Sequence, residues 1–183
     1  PEHNTLPNFY EISIIEMDDE DGDYIINCIG NPLMGLQTKA TYTGVYFKSR
    51  QWDTPRIATT SDDRSIQILA PEEEDAAIIR HEGSYDGVRF IEPITENEFL
   101  AAQYDGSVSH WKLKNDLWRC INVFPIHQDW VWKVLYHSEN DEIYFYSCSY
   151  DNTVKRTNMK TGETATLLST DRPVLDLVLG KDS

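Results

Sequence analysis

Tyr146-Ser147-Cys148-Ser149-Tyr150-Asp151-Asn152-Thr153-Val154-Lys155-Arg156-Thr157 reads as a strand of small residues, a tight turn at Asp-Asn, and a second strand that opens on a β-branched pair. Two earlier stretches superimpose on it. One is Ile57-Ala58-Thr59-Thr60-Ser61-Asp62-Asp63-Arg64-Ser65-Ile66-Gln67-Ile68, and the other is Leu100-Ala101-Ala102-Gln103-Tyr104-Asp105-Gly106-Ser107-Val108-Ser109-His110-Trp111. Each runs through small residues to an aspartate, one turn residue and then Ser or Thr. The aspartates fall at 63, 105 and 151, successive intervals of 42 and 46 residues. Asp-Gly and Asp-Asn between two strand-like runs are hairpin signals, because both pairs tolerate the left-handed backbone that a tight connection needs.

A second landmark keeps the same register. His81 precedes Asp105 by 24 residues, and His127 precedes Asp151 by the same 24. Each histidine is followed by another strand, Val88-Arg89-Phe90-Ile91 in one unit and Val131-Trp132-Lys133-Val134-Leu135-Tyr136 in the next. Counting back from the aspartates aligns Val88 with Val134 and Phe90 with Tyr136. A histidine and an aspartate held at fixed spacing can hydrogen-bond and lock two turns of one unit, and a buried polar pair has to satisfy itself in this way. The structural role expects His81–Asp105 and His127–Asp151 as repeated pairs. A general base oriented by a carboxylate would need only one of them.

These features resemble the WD40 repeat over roughly residues 40 to 180, with a period in the expected ~40–45 residue range. The Gly-His dipeptide of that family survives only as His81 and His127. Its terminal Trp-Asp survives as Trp111-Lys112, and is Leu69-Ala70 and Thr157-Asn158 in the other units. The resemblance implies an all-β fold, a WD40-type β-propeller with about three full four-stranded blades and partial blades at both ends. The expected units are 41–80, 81–126 and 127–165. Residues 1–40 would be an irregular or partial first blade, and 166–183 the first strand of a further one. Propellers have ~4–8 blades, so the ring is expected to be completed by residues of a longer chain or by a second copy.

Composition limits the partners. The 183 residues carry 16 Lys plus Arg against 31 Asp plus Glu, a formal charge of −15. So acidic a surface repels duplex DNA, RNA backbone and anionic lipid, and leaves other proteins, including basic peptides or domains, as the expected partners. No apolar run approaches the ~20 residues of a membrane span, and no signal peptide is legible after Pro1-Glu2-His3. Cys28, Cys120 and Cys148 are odd in number and form no C-x-x-C pair. Three free thiols in a reducing compartment, cytoplasm or nucleus, are the expectation, with Cys120 and Cys148 as small buried hydrophobes.

Chemistry-bearing motifs are missing. The sequence contains no G-x-x-x-x-G-K-[ST], no G-x-S-x-G and no H-E-x-x-H. Centring a calcium loop on Gly22 in the acidic run from Glu16 to Asp23 would place Met17 and Cys28 where carboxylates are required. No cofactor, metal or catalytic residue is therefore expected. In WD40 propellers the resemblance places residues just before the turn aspartate, and at the start of the innermost strand, on the binding face. Here these are Asp62, Tyr104 and Tyr150, with Tyr85, Trp130 and Trp132. Tyr and Trp are the residue types enriched at interface hot spots. The function implied is a non-catalytic protein-interaction scaffold. A substrate-receptor propeller of a ubiquitin ligase, or an enzyme-associated propeller with its active site outside this segment, stays open beside it.

Overall fold

The computed structural model describes residues 8–9, 12–15, 25–28, 33–34, 41–47, 56–61, 64–69, 76–80, 87–95, 97–115, 117–139 and 142–180, with side chains at 58–61, 64–66, 68 and the described positions from 87 onward. Two short strand pairs come first. Strands β1 (Asn8–Phe9), β2 (Ile12–Ile15), β3 (Ile25–Cys28) and β4 (Leu33–Met34) pair as β1 with β4 and β2 with β3. Three four-stranded antiparallel sheets follow. They are β5 (Thr41–Phe47), β6 (Arg56–Ser61), β7 (Ser65–Leu69) and β8 (Ala76–Arg80); β9 (Val88–Thr95), β10 (Glu98–Gln103), β11 (Ser107–Lys114) and β12 (Leu117–Pro125); and β13 (Val131–Glu139), β14 (Glu142–Ser149), β15 (Thr153–Asn158) and β16 (Thr164–Ser169). Each sheet is a simple meander in chain order. No helix occurs among the described residues, and these sheets do not close a ring.

The small residues that mark each repeat have a packing cause. Where a strand is closely covered on both faces, small side chains let its neighbours approach. Thr59, Thr60, Ser61, Ala101, Ala102, Ser147, Cys148 and Ser149 all lie buried in β6, β10 and β14. Alternation along β10 then divides its side chains between two cores. Phe99 and Ala101 join Ala58, Ile66, Ile68, Val88, Ile91 and Trp111 in one. Leu100 and Ala102 join Val108, Phe124, Val131, Val134 and Phe145 in the other. Exposure rises outward from there. β16 is exposed along its whole length and β12 at seven of its nine positions, Phe124 being the buried one.

The first strands repeat more regularly than the aspartates do. Val88 faces Gln103 and Val131 faces Ser149, each partner two residues before its turn aspartate. Val131, not Val134, is therefore the counterpart of Val88, and Lys133, not Tyr136, that of Phe90. β13 is one residue longer than β9 and β14 two longer than β10, and those three residues displaced the alignment counted from the aspartates. Val88, Val131 and Val174 recur at 43-residue intervals, and the Val174 amide donates to the Ser149 carbonyl at 3.1 Å. Residues 170–180 form no strand, and 166–169, expected to open a further blade, belong to β16. A strand needs a ladder partner, and this segment has none among the described residues; it is held by Lys133–Asp176, with Nζ and Oδ1 2.5 Å apart.

Turn chemistry follows the sequence closely. Arg64, Gly106 and Asn152, each directly after a turn aspartate, have φ of 70°, 86° and 69°. Asp105 Oδ1 accepts from the Ser107 amide at 2.9 Å and its hydroxyl at 2.6 Å, and Asp151 Oδ1 treats Thr153 identically at 3.0 and 2.6 Å. The Asp-x-Ser/Thr spacing is thus a side-chain-closed turn. At Gly106 an added Cβ would drive into the His127 carbonyl, whereas at Gly162 (φ 76°) it would meet open space. Gly106→Ala is expected to lose more than ~1 kcal/mol by chemical denaturation, and Gly162→Ala only the left-handed strain of ~1 kcal/mol. Equal losses would refute the close approach at Gly106.

Candidate functional site

The loop between β12 and β13 is pinned to the β14–β15 turn through His127. His127 Nδ1 lies 2.9 Å from Asp151 Oδ2, and Nε2 lies 2.8 Å from Ser147 Oγ. The Gln128 amide donates to the same Asp151 oxygen at 3.0 Å, and Thr153 Oγ1 sits 3.1 Å from Nδ1. An ionised carboxylate only accepts, so Nδ1 carries the imidazole proton and Nε2 accepts from the Ser147 hydroxyl. Burial pushes His127 below its ordinary value of 6.5, against the pull of Asp151, which favours the charged ring. Burial also pushes the Asp151 carboxyl up, but donors from Thr153, Gln128 and His127 outweigh it and hold it at about 2.

Serine, histidine and aspartate in a row is also the arrangement of a hydrolytic triad. Here it has no access. The His127 side chain is 0 % exposed, that of Asp151 8 %, and Ser147 is wholly buried. A nucleophile must reach its substrate, so this network is a clamp between two loops. The sequence located His127 and Asp151 through their spacing. It missed Ser147, whose only signal is a hydroxyl in a strand otherwise chosen for smallness. His81 lies outside the described residues, so the His81–Asp105 pairing is not part of this description; Asp105 itself is exposed and closes the turn at Ser107.

Above the clamp, four of the expected interface residues meet. Tyr104 and Trp130 have ring centroids 4.6 Å apart, Trp130 and Tyr150 are 5.9 Å apart, and Trp132 and Tyr150 are 6.0 Å apart, all tilted. Trp130 and Tyr150 are 44 % and 45 % exposed, while Trp132 is half-buried beneath the Arg89 guanidinium, 4.4 Å from its ring centre. Arg89 and Trp132 both fall where the ladder slips by one residue at the start of β9 and β13, and such bulges re-aim a side chain. Strand alternation alone could not anticipate that. Asp62 and Tyr85 lie outside the described residues.

The remaining candidates carry less. Cys148 is buried, its thiol pushed up by burial to about 11, but Cys120 is exposed on the outer strand β12, contrary to the expectation of a buried hydrophobe. A cleft of about 640 Å³ lies between β12 and the β15–β16 hairpin, where Lys155 already donates to the Ile126 carbonyl at 2.5 Å. Among the described residues no group of His, Cys, Asp and Glu could hold a metal ion, and no helix is long and apolar enough to cross a membrane.

Packed four-stranded meanders with repeated Asp-closed turns, one of them clamped by His127, define a fold of propeller blades. Residues 118–156 match the family model described as WD40, WD domain, G-beta repeat. The structure is similar to the WD40 β-propeller domain of Doa1, with a TM-score of 0.51 and 24 % identity over 64 % of this chain and 38 % of that one. The chain therefore spans well under half the length of that domain's chain. No curated protein matches the sequence. Residues 118–156 thus carry a WD40 repeat, within a fold of propeller blades.

Acid should weaken the clamp in two steps. Below 6.5 the unfolded chain protonates His127 while the folded one resists, and below 3.8 it protonates Asp151 while the folded carboxylate persists toward about 2. Both folded values are depressed, so their stabilisation is fully present above 6.5 and is lost as pH falls through these windows. Asp151→Ala is expected to cost ~1–3 kcal/mol at neutral pH by leaving His127 unpaired. In a melting-temperature series it should also flatten the limb below 3.8, where Asp151 itself titrates, while steepening the loss below 6.5, because His127 loses the carboxylate that favours its charged ring. An unchanged limb would show that the clamp does not govern acid stability.

Proposed function

We propose that the chain is a non-catalytic interaction scaffold that holds a partner protein on the surface carrying Tyr104, Trp130, Trp132 and Tyr150. WD40 propellers typically bind other proteins, and the WD40 match over residues 118–156 supports that coarser role here. The fold itself hosts unrelated activities, so the finer assignment has to rest on the site. The observation that carries it is the exposure of two large rings at the centre of a contiguous aromatic cluster. Single exposed hydrophobics are ordinary on a protein surface. Touching Tyr and Trp residues on rigid, clamped turns are what a hot spot requires, since little conformational entropy remains to be lost on binding.

The turns that carry the rings support pre-organisation. Tyr150 is held by its amide on the Trp130 carbonyl at 2.9 Å, and Ser149 Oγ donates to the Asp129 carbonyl at 2.9 Å. Free thiols at Cys120 and Cys148 are compatible with the proposed cytoplasmic or nuclear setting. Replacing Tyr150 with a photo-crosslinking residue in cells is expected to give one dominant adduct, absent when Trp130→Ala is added. Tyr150→Ala should leave the melting temperature nearly unchanged. A large melting loss would identify Tyr150 as packing, and no Trp130-dependent adduct would remove the interface assignment.

A further inference from the structure

Three rings, Tyr104, Trp130 and Tyr150, meet at tilted angles rather than stacking face to face, and Trp130 and Tyr150 remain nearly half exposed. Every ring residue in this row is chain neighbour to a carboxylate. Tyr104 precedes Asp105, Asp129 precedes Trp130, and Tyr150 precedes Asp151. Asp105 and Asp129 stand exposed, and Asp151 is kept ionised by its donors. Among the described residues the cations beside the cluster are already engaged, Arg89 over Trp132, Lys133 on Asp176, and Lys155 between Asp151 and the Ile126 carbonyl. What results is an electron-rich aromatic surface bordered by negative charge, on a chain of formal charge −15.

Resting on the interaction reading above, we propose that this cluster is a receptor for an arginine side chain presented by the partner, its guanidinium lying on the Trp130 and Tyr150 faces. The chain uses the same chemistry internally. Besides Arg89 over Trp132, Arg156 lies 4.8 Å from the Tyr144 ring centre and Lys133 5.7 Å from that of Phe90. Ring quadrupoles attract cations, and Trp does so most strongly. Arginine fits better than lysine because its planar, weakly hydrated guanidinium stacks on a ring while its edge still reaches a carboxylate. An acidic partner residue meets repulsion from Asp105 and Asp129. An apolar one leaves those carboxylates unused.

The test uses the full chain and a heptapeptide with one central arginine in a glycine–serine background, compared with the same peptide carrying neutral citrulline. Binding is followed through the indole N–H resonance of Trp130. The arginine peptide is expected to shift it, with affinity falling as salt rises, and citrulline is expected to bind at least roughly tenfold more weakly. Asp129→Asn should weaken the arginine peptide several-fold while circular dichroism and melting stay unchanged. Tyr150→Ala, at an exposed position, provides a second variant should Asp129→Asn perturb the loop. Equal binding of the two peptides, or no shift with either, overturns the arginine assignment. Because the cross-link at position 150 reads partner binding independently of charge, that assignment can fail while the interface reading survives. Loss of the Trp130-dependent adduct as well would remove both.

Discussion

The hydrogen bonds around His127 fix the relative positions of the two loops on which the surface of this molecule depends. One neutral imidazole joins the β14 hydroxyl of Ser147 to the turn carboxylate of Asp151, and that carboxylate in turn holds the Gln128 amide. Trp130 and Tyr150 sit three residues beyond the imidazole and one residue before the carboxylate. Their ring spacing is therefore inherited from buried polar chemistry below them. A half-satisfied network there would cost more than an apolar replacement, which ties the aromatic cluster to the full set of partners, not to His127 alone.

Beneath the clamp, double-sided burial of the second strand in each sheet sets the architecture. β10 contributes Phe99 to one core and Leu100 to the next, so neither core is complete without both neighbouring sheets. The second strands stay narrow toward their turns through Ala, Ser, Thr and Cys, and carry their bulk, Phe99, Leu100 and Phe145, farther from them. In the second core Val131, Val134 and Phe145 arrive from the following sheet to meet Leu100, Val108 and Phe124. Stability in such a stack is distributed over interfaces between repeats instead of residing in a single centre.

Much of this was legible in the sequence because turn chemistry is local. Asp-x-Ser/Thr reports its own side-chain closure, and the 24-residue interval from His127 to Asp151 marks a contact made in the structure. Insertions inside a hairpin were harder. Three extra residues in β13 and β14 moved the apparent match of Val88 onto Val134, although Val88, Val131 and Val174 already stood 43 residues apart. The bulges at Arg89 and Trp132 leave no compositional trace, since they depend on pairing with the adjacent strand. Nor could period alone show that Cys120 faces outward, because β12 lies at the rim and is covered by nothing described.

The outward rise in exposure across the β9–β12 and β13–β16 sheets implies a matching gradient in local opening. An amide in β10 can be released only when two cores come apart, so its exchange with solvent requires something close to global unfolding. Amides of β16, with every side chain in water, are held by the ladder alone and open by fraying. Outer strands can thus breathe on fast timescales, and can change their exposed residues at little energetic cost, while the inner half of each sheet keeps the clamped turns in place.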